Sequence, residues 1–251
     1  KNEPSMAQLQ PLNASRSHWQ RYLAELIGTF FVVFGACGAV ISNGASNGAV
    51  TLLGIALVPG LVVLAMVYAL GPVSAAHFNP AVTLAFATVR RFPWKHVPAY
   101  LIAQATGALL ASLLHQVLFG RDAAMRVSFG AHIPAPWVSA ASAFGFEVIY
   151  GFLLMFVIMS VATDKRVASP IPGLAIGLTV ALAIMMGGPI SGASMNPIRS
   201  LAPAVLAGGQ AWAVLPIYLI APTLGAVLAA LTYEALRDGP HHAQAAPADL
   251  V

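Results

Sequence analysis

Six long apolar runs and two short ones make up most of the chain. The long runs fall at about 22–41, 50–70, 97–118, 138–162, 171–187 and 212–236. Each approaches or exceeds the roughly 20 residues that a helix needs to cross a bilayer. The short runs, about 79–89 and 196–206, cannot cross. Both open on Asn-Pro, a helix start in which Asn caps and Pro, at the first helical position, gives up no N–H that the helix needs. The pattern predicts an all-α membrane protein with six spanning helices and two half-helices. Turn-rich segments such as Ser42-Asn43-Gly44-Ala45-Ser46-Asn47-Gly48 separate the runs.

The two halves repeat one plan. Asn79-Pro80-Ala81 lies within Ser74-Ala75-Ala76-His77-Phe78-Asn79-Pro80-Ala81-Val82-Thr83. Asn196-Pro197-Ile198 lies within Ser191-Gly192-Ala193-Ser194-Met195-Asn196-Pro197-Ile198-Arg199-Ser200. The first run of each half carries a glutamate, Glu25 or Glu147, 54 positions before the first Asn and 49 before the second. Three spans and a half-span form a unit of odd count, so the second unit enters the membrane from the opposite side as an inverted repeat. The units are about 21–120 and 137–236 of a single channel domain, 21–236. Residues 1–20 and 237–251 are polar and read as disordered ends, and the start shows no cleavable leader.

Composition agrees with the pattern. Of 251 residues, 59% are hydrophobic and 8% charged, against about 25% charged in a soluble domain. The net charge of +4 comes from loop residues next to spans, which points to membrane topology rather than nucleic acid. Lys1, Arg16, Arg21, Arg90, Arg91, Lys95, Lys165, Arg166 and Arg237 fall on one side of the predicted membrane; Arg121, Arg126 and Arg199 fall on the other. That bias puts both termini in the cytoplasm of a multi-pass protein of the plasma or bacterial inner membrane. Cys37 is the single cysteine and reads as a packing residue. The sequence shows no metal-ligand cluster, no nucleophile–base set and no cofactor motif, so an enzyme is not expected.

Paired Asn-Pro motifs, an Arg three residues after the second Asn and the two repeat glutamates together resemble the aquaporin, or major intrinsic protein, superfamily. The likeness covers about residues 20–236. Arg90-Arg91-Phe92-Pro93-Trp94, Val97-Pro98-Ala99-Tyr100 and Gly188-Pro189-Ile190-Ser191-Gly192-Ala193-Ser194-Met195 resemble the nodulin-26-like branch and its bacterial relatives. The resemblance implies a right-handed bundle of six helices with two re-entrant half-helices, assembled as a homotetramer in the lipid bilayer. It also implies passive passage of water and small neutral solutes, among them glycerol-like polyols, urea, and boric, arsenous or silicic acid.

On that resemblance Asn79 and Asn196 are the central pore donors, with Pro80, Ala81, Pro197 and Ile198 completing the two motifs. Positive half-helix ends at the pore repel cations. Arg199 lines the narrow filter, and spacing assigns Pro59, Ile184 and Ala193 beside it. Water-selective members generally have an aromatic group and a His where this chain has Pro59 and Ile184, so the filter is expected to be wide and apolar on one wall. Tyr218 and Leu219 resemble solute-conducting members, whereas Ser200 stands where glycerol facilitators carry Asp. Glu25 and Glu147 are expected to accept free backbone N–H groups of the re-entrant loops. Ile198 for Ala, Pro72 for His and Ala75 for Gly depart from the family pattern. The alternatives are a strictly water-selective channel and, further off, a coupled transporter or ion channel.

Overall fold

The computed structural model describes residues 18–164, 166–167 and 171–237. Most of the two polar ends expected from sequence, together with Lys1, Arg16 and Lys165, lies outside the described residues. In chain order the helices are α1 (His18–Ala45), α2 (Thr51–Ser74), α3 (Pro80–Thr88), α4 (Val97–Phe119), α5 (Arg121–Met125), α6 (Ala140–Thr163), α7 (Pro172–Gly187), α8 (Pro197–Ala207), α9 (Gly209–Ala213) and α10 (Leu215–Leu236). The six spans expected from hydropathy are α1, α2, α4, α6, α7 and α10, and the half-helices are α3 and α8. The first span runs longer than its apolar core at both ends. Residues 212–236, expected as one run, break at Val214 into α9 and α10.

Local chemistry explains the boundaries. Ser139 caps α6 by accepting from the Ser142 N–H at 3.0 Å. Proline stands in the first turn of α4, α7 and α10, where its missing N–H costs nothing. Five of the six spans are long and apolar enough by themselves to cross a membrane; α7, at 16 residues, is shorter, about 24 Å at 1.5 Å per residue. Pro59 and Pro222 lie inside α2 and α10 and each leaves a carbonyl without its helical donor.

The helices pack by repeat. α1 lies along α4, α6 lies along α10, and α2 crosses α7 between the halves. Close crossing needs small residues, because lipid supplies no hydrophobic drive between helices. A Cβ on Gly107 would strike Leu26 O of α1, and one on Gly225 would strike Val148 O of α6. Those carbonyls follow Glu25 and Glu147 by one residue, so the two contacts are repeat equivalents. At the α2–α7 crossing Gly60 and Gly177 face each other's carbonyls reciprocally, as residues flanking a pseudo-two-fold axis must.

Leu61, Ile102, Val117, Ile149, Leu182 and Ile220 are exposed on the outside of the bundle. An apolar surface of this extent belongs in hydrocarbon. Trp19 and Trp94 stand exposed near one end, at the start of α1 and before α4. Trp137 and Trp212 stand exposed before α6 and α10, at the other end. Two pairs of tryptophans in these places mark the two interfaces. Near the first end, Arg91 ties the turn after α3 to Glu234 of α10 at 2.5 Å, and Tyr233 donates to Asp164 at 3.0 Å. The Arg166 guanidinium beside Asp164 holds that carboxyl well below the usual carboxylate range.

Candidate functional site at the facing half-helices

Each half-helix is built by its own Asn. Asn79 has extended backbone angles and its Oδ1 accepts from the Ala81 N–H at 2.9 Å. Asn196 does the same for Ile198 at 3.2 Å and Arg199 at 3.4 Å. The amide nitrogens then cross between repeats. Asn79 Nδ2 donates to Met195 O at 2.7 Å, and Asn196 Nδ2 donates to Phe78 O at 3.0 Å. This exchange holds the N-terminal ends of α3 and α8 face to face. Each amide carries two hydrogens, and among the described residues only one of each pair is given an acceptor. Both asparagines are nearly but not wholly buried, at 4% and 7% exposure.

The segments leading into the half-helices are strained in register. Ala75, Ala76 and Phe78 have φ of 66°, 52° and 50°; Gly192, Ala193 and Met195 have 98°, 50° and 54°. Left-handed geometry at non-glycine residues persists only where the surroundings enforce it. Glu25 and Glu147 supply the enforcement. Glu25 accepts from Ser74 Oγ (2.7 Å), His77 N (2.9 Å), Phe78 N (2.8 Å) and Gln104 Nε2 (2.8 Å). Glu147 accepts from Ser191 Oγ (2.8 Å), Ser194 N (2.9 Å) and Met195 N (3.2 Å). These bonds turn the loop N–H groups inward and leave the carbonyls of Phe78 and Met195 for the asparagines.

Several partners in this scaffold have roles that the sequence did not indicate. Tyr100 donates to Ser74 O at 2.8 Å and Tyr218 to Ser191 O at 2.6 Å. Tyr218 is wholly buried behind the loop. The spacing carried a usable signal: each Ser lies five positions before its Asn, and the two Tyr lie 21 and 22 after. His77 meets Thr83 at 3.0 Å, and in the second repeat Ser194 meets Ser200 at 2.6 Å.

The four filter positions assigned by spacing differ in what surrounds them. Arg199 is 8% exposed and its Nη1 donates to Gly130 O at 2.7 Å. Among the described residues no carboxylate pairs with it. Ala193 is buried in the central apolar cluster, and Ile184 is partly buried against it. Pro59 is buried in α2. Its neighbour Gly60 lies against Gly177 and Ala181 of α7, one turn before Ile184. The Ile198 side chain is buried with Val33, Cys37, Ala108, Ala111 and Ala202. The extra bulk over the usual Ala is thus absorbed against α1 and α4. Pro72 is exposed in the last turn of α2.

The major intrinsic protein family model matches residues 13–233. Aquaporin NIP1-1 of Oryza sativa subsp. japonica is 48% identical over 218 residues, covering 87% of this chain and 74% of that protein. The probable aquaporin NIP4-2 of Arabidopsis thaliana is 44% identical over 220 residues, covering 87% and 75%. The X-ray structure of the aquaglyceroporin from Plasmodium falciparum superposes with a TM-score of 0.78 at 23% identity, covering 87% of this chain and 96% of that one; that likeness concerns the fold. The chain belongs to the major intrinsic protein family, an integral membrane family of channels rather than enzymes.

Proposed function

We propose that this member of the major intrinsic protein family is a passive channel for small uncharged solutes. The solutes are glycerol-like polyols, urea and neutral metalloid acids such as boric, arsenous or silicic acid, with water passing alongside and protons and ions excluded. The observation that carries the reading is the exchange of Asn79 and Asn196 amides across the two half-helix ends. It leaves one N–H per asparagine beside two helix N-termini, each worth about half a positive charge. A neutral oxygen is welcome there and a cation is not. A water held by both amides also has its lone pairs committed, which breaks a proton wire.

Width rests on Pro59, Ile184, Ala193 and Arg199 as the outer filter. Only Arg199 among these offers side-chain hydrogen-bond donors. One donor wall facing apolar groups suits a solute with one polar and one bulky face. A coupled transporter would need a free acid near the passage. Glu25 and Glu147 have their oxygens taken by loop N–H and hydroxyl groups, which leaves them a structural part. The charge bias argues for both termini in the cytoplasm, residues 21–236 form the channel unit, and a homotetramer is what the family resemblance implies.

Stopped-flow light scattering on proteoliposomes tests the reading. A sucrose step measures water; inward gradients of glycerol and of boric acid measure solute entry. Rapid water flow with reswelling in both solutes is the expected result. Rapid water flow with no solute entry would replace the reading with a water-selective channel. Flux that follows membrane potential or a pH gradient would replace it with a coupled or ionic mechanism.

A further inference from the structure

The second half-helix has a partner that the internal repeat does not predict. In repeat one, the His77 ring lies 5.2 Å from Tyr100, and its Nδ1 meets Thr83 Oγ1 at 3.0 Å. The equivalents of His77, Thr83 and Tyr100 in repeat two are Ser194, Ser200 and Tyr218. Ser194 is too small to fill the imidazole's place. That place is taken by His132, from the loop between the repeats. Its ring lies 5.3 Å from Tyr218, and its Nδ1 meets Ser200 Oγ at 2.8 Å. A Cβ on Gly192 would stand 2.5 Å from His132 Cδ2, so the glycine leaves room for a ring that comes from elsewhere in the chain.

The same loop carries the acceptor of Arg199. Gly130 O takes the guanidinium at 2.7 Å. Ser128, Phe129 and Gly130 are consecutive left-handed residues, with φ of 49°, 55° and 70°. Such a turn persists only when held. Phe129 is buried beside Ile41 and Ala124, and Gly130 is pressed on Cys37 of α1. Ala135 N donates to Ile190 O at 2.9 Å. His132 lies between these anchors and joins the loop to the residue after Arg199.

We propose that His132 is a positioning residue of the outer filter, clamping the loop between the repeats onto Ser200 and Tyr218 so that Gly130 O holds the Arg199 guanidinium in one place. The assignment rests on the reading of Arg199 as a filter residue. Its ring is buried, and burial with the Arg199 charge pushes its pKa well below the usual value. The clamp is therefore a neutral imidazole. An arginine released from Gly130 sweeps the constriction and obstructs glycerol more than water.

The test is the ratio of glycerol to water permeability in full-length protein reconstituted into proteoliposomes, with Ile184→His as reference. His132→Ala is expected to lower the ratio about threefold or more, a fraction of what one charged hydrogen bond can bias. Ser200→Ala is expected to lower it similarly, and the double variant no further. His132→Asn, which keeps a polar atom near the Nδ1 position, is expected to restore most of it. Size-exclusion profiles and melting temperatures identify variants that fail to fold, and if His132→Ala is among them Ser200→Ala, which removes the same contact, carries the comparison with wild type. If Ile184→His alters the ratio and folded His132→Ala does not, the filter reading stands and the clamp is wrong. If neither alters it, the filter reading falls and takes the clamp with it. A drop in His132→Ala that His132→Asn does not restore overturns the hydrogen-bonded clamp.

Discussion

Replacing Glu147 by Gln tests the scaffold with one atom. In the native protein Oε1 accepts from Ser191 Oγ and Ser194 N, and Oε2 accepts from Ser194 N and Met195 N. Every partner is a donor. A glutamine keeps one acceptor oxygen and turns an NH₂ toward donors on the other side, so at least one backbone N–H loses its acceptor inside the bundle. A hydrogen bond to a charged group contributes about 1.5–3 kcal/mol, and a buried unsatisfied N–H costs about 1–3 kcal/mol. Together they put the loss at about 3 kcal/mol, a large share of a total near 5–15 kcal/mol. The loop adds to the loss, because Ala193 and Met195 are left-handed and relax once Glu147 releases them. For a chain of this size about 3 kcal/mol corresponds to a melting temperature lower by about 6–12 °C. Thermal unfolding in detergent measures this, and proteoliposome water flux should fall with it because Met195 O anchors Asn79. Glu234→Gln is the control for loss of a carboxylate away from the loop: it weakens the bidentate pair with Arg91 and should leave water flux unchanged. A Glu147→Gln protein that melts within about 2 °C of wild type and conducts normally would refute the argument that this carboxylate holds the loop.

Ala75→Gly should raise stability by about 1 kcal/mol, because Ala75 is exposed at φ 66° and glycine relieves the left-handed strain; a rise in melting temperature checks it. Pro59→Phe with Ile184→His should suppress glycerol and boric acid entry by about tenfold, the equivalent of about 1.4 kcal/mol, and water flux much less, and equal loss of both fluxes would count against the filter assignment. Gly177→Val should block assembly of the halves, because its side chain would meet Gly60 O and Leu64; loss of folded protein in expression trials is the expected outcome. His132 has a folded pKa below its unfolded one, so its contribution to stability is full above about pH 6.5 and declines as pH falls below it. Water flux, by contrast, should stay flat from about pH 8 to pH 5 while the protein remains folded, which stopped-flow traces at matched pH will show.

The order of spans, the two half-helices and the inverted repeat were legible in the sequence. Apolar runs of spanning length have one stable outcome in a bilayer, and Asn-Pro opens a helix by local chemistry alone. The glutamates were legible as a repeated pair because each half carries one at a matching place. The serine partners were present at equal spacings and the tyrosines at nearly equal ones, but a serine before a loop or a tyrosine in a helix has many uses. Which atoms meet was decided only by the fold. The asparagine amides cross to the opposite loop because the halves are inverted around Gly60 and Gly177, a relation between segments more than a hundred residues apart. Ile198 could be read from sequence only as extra bulk at the junction; packing turns it toward Val33 and Ala108. His132 has no repeat counterpart at its position in the chain. Its place beside Ser200 follows from loop closure over the second half-helix, where the space that His77 fills in the first repeat was left open by a serine.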